Sequence, residues 1–168
     1  MNLYKQLLIA MLFLLTACAS SNKEIDDKID LAKISQQYFS VYAQRKDFEK
    51  LMAFYADNAQ LEDMIYGHFA KSKADIRLFL NWSNGEFSLV DNGAALVVTK
   101  QVISNDTVVT EGYFTPFNYN GKKLGPWRFI IWLEFDRQGK IVRHVDWINY
   151  TPKADFIGGE NRNSVIMP

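Results

Sequence analysis

The stretch that decides the fold lies near the C-terminus: WRFIIWLEF at 127–135, DRQGK at 136–140 and IVRHVDWI at 141–148. Apolar side chains alternate in the first and third segments, and a period of two is typical of β-strands. The glycine-containing segment between them has the composition of a hairpin turn. A two- or four-residue loop centred on Arg137 and Gln138 then sets which residues lie opposite one another. The sequence therefore predicts a long antiparallel hairpin.

One face of this hairpin is predicted to be apolar. Four cross-strand pairs share it: Trp127 with Ile148, Phe129 with Asp146, Ile131 with His144, and Leu133 with Val142. Because this face is apolar, it is expected to pack against the helices. The register matters here, because a slip of one residue would move all of these side chains to the solvent side. The carboxylate of Asp146 and the imidazole of His144 are therefore expected among aromatic and aliphatic groups.

The opposite face of the hairpin carries two tryptophans. Its predicted pairs are Trp132 with Arg143, Ile130 with Val145, and Arg128 with Trp147. A soluble domain seldom exposes so large an apolar patch, so the sequence predicts a homodimer formed through this face. In the alternative, Arg128 and Arg143 stack over the indole rings and shield them from water.

Three further strand-like runs precede this hairpin. They cover 86–91, 94–104 and 107–119, the hairpin itself extends over 127–150, and the turn signals between the runs are Asn92-Gly93, Asn105-Asp106 and Asn120-Gly121. These dipeptides favour hairpin turns. The second half of the chain is therefore predicted to be a meander of antiparallel strands.

Helical spacing dominates the first half of the chain. The first predicted helix covers about 27–45, and its apolar stripe is Leu31, Ser35, Tyr38, Phe39 and Tyr42. The second predicted helix follows a cap at Asp47, with the stripe Phe48, Leu51, Met52 and Tyr55. The third follows a cap at Ser72, with the stripe Ile76, Phe79 and Leu80. Caps and apolar spacings of this kind are typical of helices. Helices followed by a meander predict an α+β domain, with three N-terminal helices packed on one face of a curved antiparallel sheet.

A short strand after the second helix adds a further inward acidic group. Leu61, Asp63 and Ile65 share one face of this strand by parity, so Asp63 is directed towards the core. Buried charges are costly unless they are paired, and they usually change their pKa. Asp63 and Asp146 are therefore candidate functional residues.

Composition excludes several classes of function. The chain has 168 residues, 48% of them hydrophobic, with 19 basic and 19 acidic residues, which suits one domain with a real core and not a nucleic-acid binder. One cysteine allows no internal disulfide. Two histidines, of which His68 is expected at the surface, give no metal-ligand pair, so neither a metal nor a cofactor is predicted.

The N-terminus has the order of a secretory signal: Lys5, an apolar run from Leu7 to Leu15, then Thr16-Ala17-Cys18. This segment resembles the lipobox of bacterial lipoproteins, which implies that residues 1–17 are removed and that Cys18 is acylated. The alternative is a buried structural cysteine. Residues 18–30 would then form a lipidated tether. Ala19 implies the outer membrane, so the expected location is the bacterial cell envelope, facing the periplasm.

The central part of the chain also resembles a known superfamily. The matching residues are Gln37-Tyr38-Phe39, Phe54 to Ala59, Glu62-Asp63, Gly67, Ile76-Arg77, and Gly139 through Asp146. Together they resemble the nuclear transport factor 2-like (NTF2-like) superfamily, over roughly residues 31–150. The resemblance implies a cone-shaped α+β barrel and leaves 151–168 as a tail that is either disordered or covers the mouth of the cone.

Members of this superfamily include ketosteroid isomerase and the SnoaL-like polyketide cyclases, together with many non-catalytic domains, so the fold names no reaction. Asp63 matches the general base of the isomerase. The isomerase's oxyanion tyrosine falls at about Phe39 and its oxyanion aspartate at about Ile131, so steroid isomerisation is not expected. Asp146 resembles the acid/base aspartate of the cyclases, with His144 on the same face.

Three functions remain as alternatives. The first is a binding module whose cone holds a small apolar or aromatic molecule, with candidate walls Tyr38, Phe39, Tyr42, Trp82, Trp127, Phe129, Ile131 and Ile148. The second is a cyclase, isomerase, dehydratase or hydrolase in which Asp146, His144 and Asp63 are catalytic. The third is a protein-association domain, in which tyrosine hydroxyls or backbone amides satisfy both aspartates.

Overall fold

A computed structural model of the chain describes residues 29–150. Within that range there are three helices: α1 (Leu31–Gln44), α2 (Phe48–Met52) and α3 (Lys73–Phe79). The strands in the same range are β1 (Tyr55–Asp63), β2 (His68–Ala70), β3 (Phe87–Leu89), β4 (Leu96–Ser104), β5 (Thr107–Phe114), β6 (Phe117–Tyr119), β7 (Lys122–Leu124), β8 (Trp127–Phe135) and β9 (Ile141–Ile148). The predicted signal peptide, Cys18, most of the tether and the 151–168 tail lie outside the described residues.

The strands form two sheets. The larger has the order β2-β1-β9-β8-β5-β4 and the smaller has the order β3-β6-β7. All neighbouring strands are antiparallel except β1 and β9, which are parallel. Helix α1 packs against β4, and α3 packs against β1 and β2. The α+β class with a curved, mostly antiparallel sheet is confirmed, but the large sheet is open at β2 and β4 and does not close into a barrel.

The second and third helices begin at the predicted caps, Asp47 and Ser72, whereas α1 begins at Leu31 after a cap at Asp30 and not at about residue 27. The side chains of Asp30, Asp47 and Ser72 accept hydrogen bonds from backbone N–H groups three residues ahead, at 2.9–3.2 Å. These bonds satisfy N–H groups that have no partner inside the helix. In α3 the predicted stripe is only partly buried, because Ile76 is inaccessible whereas Phe79 is 37% exposed.

The predicted register of the last hairpin is wrong by two residues. The observed apolar-face pairs are Phe129 with Ile148, Ile131 with Asp146, and Leu133 with His144, and on the outer face Ile130 faces Trp147, Trp132 faces Val145 and Glu134 faces Arg143. Two features cause this shift. The loop has three residues, 137–139, between Asp136 and Lys140, which changes the register by one residue. A bulge at Val142, between the pairs Phe135–Ile141 and Glu134–Arg143, changes it by one more. The carboxylate of Asp136 accepts from the backbone N–H of Gln138 and of Lys140.

A shift of two residues keeps the side chains from Arg143 to Ile148 on their predicted faces, because the strand period is also two. Val142 is the exception: it is unpaired at the bulge, and Ile141 is buried opposite Phe135 in its place. His144 and Asp146 are 1% and 3% exposed, so their inward orientation is confirmed. Asp63, also 3% exposed, is directed inward as predicted. Ile65 is not: β1 ends at Asp63, and Ile65 lies in the following turn with 42% exposure.

The predicted strand 107–119 is two strands in different sheets. β5 ends at Phe114, and β6 begins at Phe117 and pairs with β3 and β7. Pro116 stands at the break and has no N–H to continue a ladder. Its carbonyl accepts from the N–H of Val90, next to β3. The chain therefore leaves the large sheet here and forms a second wall beside it.

Candidate functional site

Four buried polar side chains form a continuous hydrogen-bonded chain, here called the relay. The hydroxyls of Tyr38 and Tyr55 are 2.8 Å apart, and the Tyr55 hydroxyl is 2.7 Å from Nδ1 of His144. Nε2 of His144 is 2.6 Å from Oδ1 of Asp146. Each of the four residues is at most 3% exposed. The relay therefore links the middle of the core to one aspartate without contact with bulk water.

Three elements position the relay. Tyr38 lies on the buried stripe of α1, Tyr55 begins β1, and His144 and Asp146 alternate on β9. The ring of Tyr55 stacks on the imidazole of His144 with 6.0 Å between centroids, and Tyr38 meets both rings edge to face. Aromatic contacts of this kind fix ring orientation as well as burying area. The hydroxyls and the imidazole are thus held in line.

Burial determines the state of the two tyrosines. Desolvation raises the pKa of Tyr38 and of Tyr55 well above the usual value of 10.0, so both hydroxyls keep their protons at neutral pH. An ionised Asp146 must accept from Nε2–H of His144, and in a neutral imidazole Nδ1 then accepts from Tyr55. Tyr55 in turn accepts from Tyr38. The relay therefore selects one tautomer of His144 and orients every proton towards Asp146.

The structure places Asp63 beside Asp146 but gives it different partners. The two residues pair in the parallel register of β1 and β9. Oδ1 of Asp63 accepts from the backbone N–H groups of Ile65 and Tyr66, and Oδ2 accepts from the hydroxyl of Tyr150. Burial, followed by the bond to Asp63, raises the pKa of Tyr150. Asp63 thus stabilises the turn after β1, and its oxygens are already occupied.

Both aspartates line one cavity of about 320 Å³, called the cavity below. Its walls are mainly aromatic and aliphatic and come from α1, the α3–β3 connection, the small sheet and the end of the last hairpin: Tyr42, Arg45, Phe79, Leu80, Asn81, Asn84, Phe87, Ala95, Phe114, Phe117, Tyr119, Leu124, Trp127, Ile148 and Tyr150. Within residues 29–150 no donor is hydrogen-bonded to Oδ2 of Asp146. An acceptor at the end of the relay therefore remains for a molecule in the cavity.

The predicted walls divide between the cavity and the core. Tyr42, Trp127 and Ile148 line the cavity, whereas the others do not: Tyr38, Phe39, Phe129, Ile131 and Trp82. Phe39 stacks on Phe129 within the core, and Ile131 lies beside Asp146 on the neighbouring strand. Trp82 packs on Tyr42 from behind, with 5.8 Å between ring centroids. The cavity therefore lies nearer to the small sheet than the predicted wall residues indicate.

Several residues of the site lie in other elements than the sequence predicts. Tyr55 was assigned to the helical stripe of the second helix, because its spacing from Phe48 fits a helix as well as a strand. Phe117 and Tyr119 were assigned to the large sheet, and the Thr115-Pro116 break was the signal that could have moved them. Tyr150 and Arg45 lie at the ends of elements, where boundaries are least predictable.

Neither a metal-binding cluster nor a helix able to span a membrane is found in the part of the chain that the structure describes. Within it, no three His, Cys, Asp or Glu side chains lie close enough together to hold a metal ion. His68 is exposed and stacks on Phe79, with ring centroids 4.2 Å apart. Across 29–150 no helix is long and apolar enough to cross a membrane.

Comparison with protein families gives one match that covers most of the chain. Residues 35–144 match the family model described as a SnoaL-like domain. This range contains most of α1, the large sheet up to the middle of β9 and three of the four relay residues, and it ends at His144. A comparison with curated proteins found no match.

Solved structures share the fold at low identity. A provisionally assigned SnoaL-like polyketide cyclase from Shewanella putrefaciens is 17% identical, with a TM-score of 0.56 over 73% of this chain and 91% of that chain. An NTF2-like protein of unknown function from Burkholderia pseudomallei is 13% identical, with a TM-score of 0.57 over 77% and 98%. A protein with a ketosteroid isomerase-like fold from Catenulispora acidiphila, solved with trimethylamine, is 14% identical, with a TM-score of 0.54 over 68% and 84%. The NTF2-like fold is thereby confirmed.

Proposed function

This chain belongs to the SnoaL-like domain family, and we propose that it binds a small apolar or aromatic molecule in the cavity beside Asp146. The observation that carries the proposal is the position of Asp146. Its side chain is buried at the end of the relay, lines an aromatic cavity, and has an oxygen without a donor in the described residues. Cavities of about 300–1,000 Å³ with apolar walls and a few polar groups are typical of ligand sites.

The relay suits Asp146 to orient a ligand. Its Oδ1 is held by His144, which is itself held by Tyr55, so the carboxylate cannot rotate freely. Only its second oxygen is left to accept from a ligand O–H or N–H group. A hydrogen bond to a charged acceptor stabilises a complex by about 1.5–3 kcal/mol. A ligand with such a donor should therefore bind about ten- to a hundredfold more tightly than its methylated analogue.

The matched probes indole and 1-methylindole test this proposal, because only indole has an N–H donor. Calorimetry on the purified full chain should show tighter binding of indole. In Asp146→Asn, His144 still holds the side-chain oxygen, so the amide N–H₂ faces the ligand and the preference for indole should disappear. Asp91→Asn, an exposed loop aspartate, is the control and should keep it. Failure of both probes to bind at millimolar concentration contradicts the proposal.

The relay also favours a second candidate, an acid/base enzyme that moves a proton at a carbon next to a carbonyl. A buried chain of four groups can transfer a proton without water, and Asp146 would exchange it with the substrate. Hydrogen–deuterium exchange at the acidic carbons of 2-tetralone, followed by NMR in D₂O, requires no knowledge of the product. Exchange that is faster with the chain than in buffer, and lost in Asp146→Asn, supports the enzyme. Exchange at the buffer rate contradicts it.

We also propose that the domain is held at the bacterial outer membrane through an acylated Cys18, facing the periplasm. The support is the sequence alone: the lipobox-like segment and the tether lie outside the described residues. In this arrangement the tether enters the domain at the start of α1, where Ile29 and Ile34 lie beside Gly139 in the β8–β9 loop. The cavity lies at the other end of β9, beside Asp146 and Ile148. The cavity would therefore be at the end of the domain away from the tether.

A homodimer through the outer sheet face is the third part of the proposal. Ile130, Trp132 and Trp147 are each 37–38% exposed on this face. Within residues 29–150 neither Arg128 nor Arg143 stacks on these indole rings. Arg143 pairs with Glu134 instead, and the indole N–H of Trp132 donates to the same carboxylate. These contacts leave much of both indole rings accessible, and apolar area of this kind favours a partner surface.

A further inference from the structure

Arg45 ends α1 in a conformation that is uncommon for its residue type. Its backbone has φ 49° and ψ 37°, the left-handed region, at a position where helices most often carry glycine. Holding a residue other than glycine there costs about 1 kcal/mol or more, which the surrounding structure must offset. Such strain is often found at functional sites. The conformation places the Arg45 side chain in the cavity wall.

The guanidinium of Arg45 is packed on aromatic rings. Its Cζ lies 4.1 Å from the ring centroid of Phe87 and 5.2 Å from that of Trp82. Within residues 29–150 this guanidinium forms neither a salt bridge nor a hydrogen bond, although its planar group carries five N–H donors. Burial lowers its pKa below the usual 12.5. A half-buried cation without an anionic partner is costly.

Arg45 and Asp146 reach the cavity from different elements, the end of α1 and β9. Burial, followed by the charge of Asp146, raises the pKa of Tyr42, whereas the charge of Arg45 lowers it, so both charges act on this side chain. All three residues line the cavity. The rest of the wall is mainly aromatic, with Phe114, Trp127 and others. A molecule that fills this space would meet both a cation and a carboxylate.

We infer that Arg45 is the anion-binding end of the cavity, and that the ligand is a small aromatic or apolar carboxylate. This inference rests on the proposed function and adds the class of ligand. The planar N–H fork matches a carboxylate in two parallel hydrogen bonds, and ring stacking leaves its edge available. A ligand hydroxyl or N–H at the far end would donate to Asp146. The amides of Asn81 and Asn84 line the same cavity and add neutral donors.

A purely structural role for Arg45 makes different predictions. A cation at a helix C-terminus interacts favourably with the helix dipole, and ring packing adds to it. In that case Arg45 would stabilise α1 and leave ligand selection unchanged. Three probes with one ring system separate the two roles: indole-3-acetate, indole-3-acetamide and tryptamine carry a negative, a neutral and a positive group at the same position.

The experiment measures Kd for each probe by calorimetry on the purified full chain. We expect indole-3-acetate to bind about tenfold or more tightly than the acetamide, and tryptamine to bind most weakly. In Arg45→Gln the ratio should fall to about one, and Arg137→Gln, an exposed loop arginine, should keep the parent ratio. Arg45→Asn is the second variant, since asparagine tolerates the left-handed region, and it should also abolish the preference.

Four results would overturn the inference. Equal binding of the acetate and the acetamide to the parent chain would show a cavity that binds ligands without an anionic end, which leaves the proposed function standing. Tighter binding of tryptamine would show that the aspartates dominate. An unchanged ratio in folded Arg45→Gln or Arg45→Asn would place the anion preference elsewhere. If no probe binds, including indole itself, the proposed function fails and this inference fails with it.

Discussion

Removing the hydroxyl of Tyr55 perturbs the centre of the relay. The Tyr55→Phe change leaves the ring stacked on His144 but deletes two hydrogen bonds, of 2.8 Å to Tyr38 and 2.7 Å to Nδ1 of His144. Both former partners are inaccessible to solvent, so each is left unsatisfied. An unsatisfied buried polar group costs about 1–3 kcal/mol. We therefore expect the free energy of unfolding to fall by about 2–4 kcal/mol.

Two further variants make this number specific to the relay. Tyr38→Phe removes only the bond to Tyr55, whose hydroxyl still donates to His144, so the loss should be about 1 kcal/mol. In the double variant there is no Tyr38 hydroxyl to leave unpaired, so its cost should be below the sum of the single changes by about 1 kcal/mol. Tyr66→Phe, at a side chain that is 71% exposed, is the control and should cost almost nothing.

Urea unfolding followed by tryptophan fluorescence measures all four variants under one condition. The slope of the transition should not change, since the ring and the compactness of the native state are kept. A cost below about 0.5 kcal/mol for Tyr55→Phe would refute the reasoning. So would strictly additive costs in the double variant, because independent hydroxyls are not a relay.

Three other expectations follow from the same structure and sequence. Burial raises the folded-state pKa of Tyr38 and Tyr55 above 10.0, so their contribution to stability is complete below pH 10 and is lost as the pH rises beyond it. Urea midpoints should therefore fall above pH 10, and they should fall less steeply in Tyr55→Phe. Mass spectrometry of the mature chain should find an acylated Cys18, and unchanged membrane fractionation of Cys18→Ser would exclude the anchor. Sedimentation of the form without residues 1–18 should show a dimer that Trp147→Glu dissociates, whereas a monomer at tens of micromolar rejects the interface through Trp132 and Trp147.

The faces of the hairpin were predictable because they depend only on parity. His144 and Asp146 are buried in the observed register as in the predicted one, although their partners on β8 differ by two residues. The partners depend on the loop and on the bulge that follows it. The positive φ of Gly139 and the hydrogen bonds to Asp136 select three loop residues, and the bulge at Val142 shifts the register by one residue more. Composition does not distinguish that loop from the shorter and longer ones.

The composition of the cavity was less predictable, because it depends on where a chain leaves one sheet for another. The 107–119 run alternates well enough for one strand, yet Pro116 ends the ladder and sends Phe117 and Tyr119 into the small sheet. Contacts between Arg45 and Phe87 likewise join segments that are distant in sequence. No rule of sequence spacing brings such residues together. The sequence therefore predicts the two buried aspartates but does not predict most of the residues that line the cavity.

The tryptophan side chains distinguish a molecule bound in the cavity from one bound on the outer sheet face. Trp127 lines the cavity, whereas Trp132 and Trp147 lie on the outer sheet face. A two-dimensional ¹H–¹⁵N spectrum of the indole N–H groups, recorded during titration with unlabelled indole, separates the two locations in one sample. If indole binds in the cavity, the Trp127 signal should shift saturably while the signals of Trp132 and Trp147 stay constant. Shifts of Trp132 or Trp147 with an unchanged Trp127 would contradict binding in the cavity.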